Sequence, residues 1–176
     1  MVESFVTEFR RYREIAEKAL RQIPDRSLNR VTAPDGNSAA MLVRHLSGNL
    51  TSRFTDFLTS DGEKPWRHRD AEFEEREYGR DELEAMWEEA WDVVDRELAD
   101  LQDCHLRLQV TIRGHCLTVH AALSRALAHV AYHVGQIVLL ARMTAPEEWR
   151  WISIPKGRSE EYNRALQDDN LGTLAR

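Results

Sequence analysis

Hydrophobic positions recur at steps of three and four along four separate stretches of the chain, and each stretch predicts an amphipathic helix. The first covers residues 3 to 23, with Phe5, Phe9, Tyr12, Ile15, Ala16, Leu20 and Ile23 on one face and Pro24–Asp25 as its stop. The second runs from an N-cap at Ser38 to about Ser60, with Met41, Leu42, His45, Leu46, Asn49, Phe54, Phe57 and Leu58 facing inward. The third opens at Asp81 and reaches Leu101 through Leu83, Met86, Trp87, Ala90, Trp91, Val94 and Leu98. Acidic residues crowd its start, where they suit the positive end of the helix dipole. The fourth spans Val119 to Met143.

Before that fourth helix the period drops to two. Leu106, Leu108, Val110 and Ile112 alternate with polar residues and Arg113–Gly114 breaks the run, which predicts a short β-hairpin. A short last helix is expected from Ser159 to about Gln167, followed by a frayed end over 167 to 176. Trp149 and Trp151 tie the preceding tail to the body, and Pro146 ends the fourth-helix region. The pattern as a whole predicts an all-α fold. It is a four-helix bundle with a small β-hairpin before the fourth long helix and a short C-terminal helix, one domain over 1 to 176.

One connection stands outside the pattern. Residues 63 to 80, EKPWRHRDAEFEEREYGR, show no period, and a loop of that length in a compact domain is functional or carries packing of its own. Trp66, Phe73 and Tyr78 can anchor it. Arg67, His68 and Arg69 form a basic cluster able to face an anionic ligand, although a solvated loop held by aromatic anchors accounts for the same residues.

Composition narrows the function more by exclusion than by assignment. A net charge of −6, with basic residues scattered among acidic ones, argues against a nucleic-acid partner. No apolar run approaches the ~20 residues that span a bilayer, and the first residues show no signal pattern, so a cytoplasmic protein is expected. Cys104 and Cys116 form neither a CxxC nor a zinc-ribbon spacing and are read as reduced thiols. There is no Gly-rich phosphate loop and no GxSxG elbow. ExxH is missing from both histidine helices, which argues against a di-iron carboxylate centre.

Within the stretch Ala122 to Arg142, His129 and His133 stand four residues apart and stack on one face with Ala122, Ala126, Gln136, Ile137 and Leu140. His45 faces inward from the second helix, with Asn49 one turn further on. Three inward histidines from two helices match a catalytic zinc site with one open position, and nickel or iron accepts the same ligands. Asn49 and Gln136 are candidates to support these ligands or to contact what the metal binds. The competing reading is a set of core histidines that satisfy one another's hydrogen bonds. His68, His105, His115 and His120 are read as surface or structural, His120 because nine residues turn it off the face of His129.

On these residues the chain resembles the DinB/YfiT-like superfamily, and within it a subfamily of unknown function. The segments that carry the resemblance are MLVRHLSGNLTSRFTDFLTSDGEKPWRHRDAEF, LAHVAYHVGQIVLLAR and WRWISIPKGRSEEYN. In that superfamily a histidine of the second helix and an HxxxH pair of the fourth bind a divalent metal, and those positions here are His45, His129 and His133. The resemblance implies a bundle, often a homodimer, with zinc or nickel at the triad. It also implies a metal-dependent thiol S-transferase, or a related enzyme such as a hydrolase, in which the metal activates a small thiol. Trp66, Arg67 and Arg69 would then hold an anionic substrate. The alternative is a non-catalytic bundle that binds a metal or a small molecule.

Overall fold

The computed structural model describes residues 1–145, 147 and 149–174, with side chains of the last helix described as far as residue 167. Four long helices form the body: α1 (Val2–Leu20), α3 (Ala39–Phe54), α4 (Arg80–Ala99) and α5 (Val119–Thr144). A one-turn α2 (Asp25–Leu28) sits in the first connection, and α6 (Ser159–Leu174) closes the described chain. Around the bundle the order is α1, α5, α3, α4 and back to α1, each packed on its neighbours. Between them lie Phe9, Leu42, Leu46, Leu50, Phe54, Trp91 and Ile137, all essentially without solvent contact. The chain is therefore the mainly helical bundle that its pattern predicts. Among the described residues no helix is long and apolar enough to cross a membrane.

Capping agrees with the sequence where it matters. The Ser38 hydroxyl accepts from the Met41 amide at 3.2 Å and starts α3, and Thr118 does the same for Ala121 at 3.1 Å at the head of α5. Those two caps fix the start of both histidine helices.

The hairpin pairs β1 (Gln109–Ile112) with β2 (His115–Thr118) in antiparallel register, Ile112 opposite His115. Its two turn residues, Arg113 at φ 55° and Gly114 at φ 73°, both lie in the left-handed region, as a two-residue type I′ turn requires. The Asp61 carboxylate accepts from the amides of Glu63, Arg113 and Gly114, so the turn is strapped to the loop after α3. Those amide hydrogen bonds hold the Asp61 carboxyl below its usual range.

Three expectations change. The second long helix stops at Phe54 rather than near Ser60: the Thr55 hydroxyl bonds back to the Thr51 carbonyl at 2.7 Å, and Asp56 turns left-handed at φ 51°. The alternation through Leu106 and Leu108 is not strand: Leu106 is buried in a 3-10 turn over Asp103–Arg107, and Leu108 is exposed. The last helix runs on to Leu174, since no proline interrupts the residues after Gln167. Residues 175 and 176 of the expected frayed end, and the stop at Pro146, lie outside the described residues.

The loop 61–80 has packing of its own. Residues Asp70–Phe73 make a 3-10 turn packed on α3, where buried Arg44 donates to the carbonyls of Ala71 and Glu74. Asn29 and Tyr78 exchange side-chain-to-backbone hydrogen bonds at 3.0 and 3.1 Å and fix its far end.

Candidate metal centre

α3 supplies His45 and α5 supplies His129 and His133, and the helical period turns all three toward the α3–α5 seam. One ligand atom from each histidine lies within 4.8 Å of the other two, a group that could hold a metal ion. The Nε2 atoms of His45 and His129 are 3.1 Å apart.

The outward nitrogens of two of these rings are already committed. His45 Nδ1 faces Glu72 Oε2 at 2.8 Å, and His133 Nδ1 faces Gln136 Oε1 at 3.1 Å. A carboxylate and an amide oxygen only accept, so both rings carry their proton on Nδ1 and keep the Nε2 lone pair free. His129 is different: its Nδ1 is buried without a hydrogen-bond partner among the described residues.

Burial is the main reason His129 and His133 resist protonation. It pushes His129 down to about 3, with the positive charge of His133, His45, Arg67 and Arg53 adding to the effect. His133 is also lowered by burial and by the charges of His45 and Arg69, against the hydrogen bond to Gln136. Neutral imidazoles are the donor set a divalent cation takes, and three histidines whose ligand atoms converge, two of them with the proton held on Nδ1, fit one.

Glu72 is the residue that periodicity does not reveal. It reaches the seam from the 3-10 turn of the long loop and accepts from Arg67 Nε at 2.8 Å and Nη2 at 3.0 Å while holding His45. Burial pushes its carboxyl up, but the hydrogen bonds from His45 and Arg67 outweigh it and leave the group below the usual carboxylate range. Phe73, the next residue, packs its ring 4.7 Å from that of His45. A carboxylate behind a ligating histidine fixes the ring's tautomer and orientation.

Gly48 makes room for this arrangement. A Cβ there would collide with the Glu72 carboxylate. Gly48→Ala removes a glycine from a helix interior, worth about 1 kcal/mol in propensity, yet it displaces a carboxylate that two groups depend on. The expected outcome is a lowered melting temperature, since the displaced carboxylate loosens its hold on buried Arg67 by more than the propensity gain, and a metal affinity reduced about 10- to 100-fold, the usual cost of losing a ligand's support. Titration with a competing chelator measures it.

The other sequence candidates divide. Asn49, Arg67 and Arg69 line a cavity of about 410 Å³ together with the three histidines. Gln136 sits behind His133. Trp66 is 52% exposed and is not among the cavity's lining residues. Arg67 does not wait at the surface for a ligand: its side chain is 2% exposed and its fork is turned onto Glu72. Three further arginines stand on the cavity wall, Arg53, Arg113 and Arg125, and the first and last of them had a readable signal. His45, Asn49 and Arg53 repeat at four-residue steps on α3, as Arg125, His129 and His133 do on α5.

His68, His115 and His120 are exposed, His120 edge-on to Phe5, and His105 caps its own 3-10 turn. Both cysteines are free and exposed.

A family model described as a protein family of unknown function, DUF1572, matches residues 1–158. The chain belongs to that family. Comparison with curated proteins and with solved structures returned no match.

Proposed function

We propose that this chain is a divalent-metal protein of the DinB/YfiT-like kind, with His45, His129 and His133 as ligands and zinc or nickel as the ion. The observation that carries the reading is the convergence of three histidine nitrogens within 4.8 Å, two of them with tautomers fixed from behind. Three protein ligands leave a coordination position open, the arrangement of catalytic rather than structural sites. When bound, the cation supplies a Lewis-acid centre that favours the thiolate form of a thiol, the reactive nucleophile. The chain's own part is to hold His129 and His133 neutral, to orient His45 through Glu72 and His133 through Gln136, and to offer a cavity of about 410 Å³ beside them. A thiol-dependent S-transferase, or a related hydrolase, is the activity we infer. Neither exposed cysteine is among the residues lining that cavity, so the thiol would come with a small molecule. A metal- or ligand-binding bundle without turnover uses the same geometry. It is distinguished by binding without consumption of thiol plus electrophile. The homodimer and the cytoplasmic setting belong to this proposal as well.

Melting with and without chelator tests the metal. An ion that binds only the folded state adds about 2.7 kcal/mol at a hundred times its dissociation constant, so chelator is expected to lower the melting temperature by several degrees. An unchanged melt would leave the histidines as a core cluster only.

The metal-free protein has its own pH signature. Folded His129 takes its proton near 3, whereas an imidazole in the unfolded chain takes it near 6.5. Across that window the unfolded state binds the extra proton, so stability is full above about pH 6.5 and falls as pH drops toward 3. Glu72 loses its contribution in the same direction, below the usual carboxylate range. Melting temperature against pH, in chelator, is expected to be flat above 7 and to decline below 6.5. His129 and His133, both lowered by burial, are expected to keep ligating below the pH of roughly 6.5 at which an unshifted histidine would let go.

A further inference from the structure

We propose that the cavity beside the histidines carries an anion subsite. It would take the carboxylate or phosphonate group of a small organic molecule, with Arg67 as the buried donor and Arg69 and Arg125 on the solvent side. Five arginines line this cavity and not one aspartate or glutamate does, in a chain whose acidic residues outnumber its lysines and arginines, 30 to 24. The charges behind the wall do not cancel them. Glu63 is shared by Arg53 and Arg113, and Glu72 serves Arg67 and also receives the His45 ring. Arg69 meets only the fully exposed Asp70 at 3.4 Å, and Arg125 has no ion pair among the described residues.

Arg67 supplies the observation that points to a ligand. Its side chain is 2% exposed and its Nε and Nη2 are satisfied by Glu72, yet Nη1 is buried with no acceptor among the described residues. A buried guanidinium nitrogen left unpaired is costly, and an oxyanion is the partner that a planar fork of N–H donors fits. Phe54, Phe57 and Tyr132 share the wall, so the remainder of the molecule would be apolar or aromatic. The volume suits a compound of a dozen or so heavy atoms rather than a polymer. The proposal rests on the metal reading only for the direction of the molecule, anion on the arginines and reacting end toward the histidines. The subsite itself stands on the arginines.

The probes are phenylacetate, phenylphosphonate and the neutral phenylacetamide, titrated calorimetrically into zinc-loaded and chelator-stripped protein. Both anions are expected to bind at least tenfold more tightly than the amide in either form. Arg67→Lys, which keeps a charge on Glu72 but deletes Nη1, and the double variant Arg69→Gln/Arg125→Gln are each expected to remove most of that preference with the amide unaffected. Should Arg67→Lys fail to fold by circular dichroism, the double variant decides alone. Anions that bind no better than the amide overturn the subsite. So does a preference that vanishes with the metal and ignores the arginine variants, since the anion would then sit on the ion only. Protein that takes up no zinc but keeps an arginine-dependent anion preference supports the subsite and defeats the metal reading.

Discussion

His129→Ala is expected to abolish metal retention, with a loss of affinity well beyond the 10- to 100-fold that follows from removing a ligand's support. Two features make His129 the discriminating choice. It meets His45 directly, Nε2 to Nε2 at 3.1 Å, and its other nitrogen has no partner among the described residues to lose. Its removal takes away a ligand and breaks the contact to His45 Nε2, while its other nitrogen leaves nothing behind it unpaired. The metal-free variant should also show a shallower acid-side decline in melting temperature, because the group that stays neutral down to about 3 is gone while His133 and Glu72 still contribute. Metal analysis after gel filtration and melts from pH 4 to 8 check both halves. Full retention of metal by a folded His129→Ala protein removes the three-histidine assignment.

Glu72→Ala carries the second large effect, a loss in two separate readouts. Among the described residues the Glu72 carboxylate is the sole partner of the Arg67 guanidinium, so the truncation leaves a buried cation uncompensated. Breaking a buried pair from one side typically costs about 3–5 kcal/mol. His45 loses the acceptor that fixes its tautomer, and metal affinity should drop about 10- to 100-fold. Glu72→Gln retains one acceptor oxygen and most of the shape. It should recover part of the stability and less of the affinity, because an amide does not hold a ring proton as a carboxylate does. Denaturant midpoints and chelator competition separate the two. Equal loss of stability with no change in affinity would make Glu72 a fold residue only.

What the sequence reveals of this site follows from what periodicity can carry. His45, His129 and His133 lie on long regular helices, and there the 3.6-residue repeat alone says which side chains share a face. Gln136, three residues after His133, is legible by the same rule. Glu72 is not: it sits in an aperiodic loop among several carboxylates in DAEFEER, and only the fold of that loop selects one. The same blindness misplaces its neighbours, since Trp66 is exposed away from the cavity and Arg67 turns inward onto Glu72. Gly48 is silent in the pattern too, because what it leaves room for arrives from elsewhere in the chain. Arg53 and Arg125 were within reach, each on the same face as a histidine but charged, and so outside a search for apolar stripes. The end of α3 at Phe54 is set by one threonine hydroxyl and one left-handed aspartate, local choices that hydrophobic spacing does not register.

X-ray absorption on the zinc-reconstituted protein tests the central claim most directly. The account predicts one ion per chain with three imidazole nitrogens at about 2.0–2.1 Å and one further light ligand. An ion with sulfur neighbours, fewer imidazoles, or no stoichiometric uptake at all would contradict it.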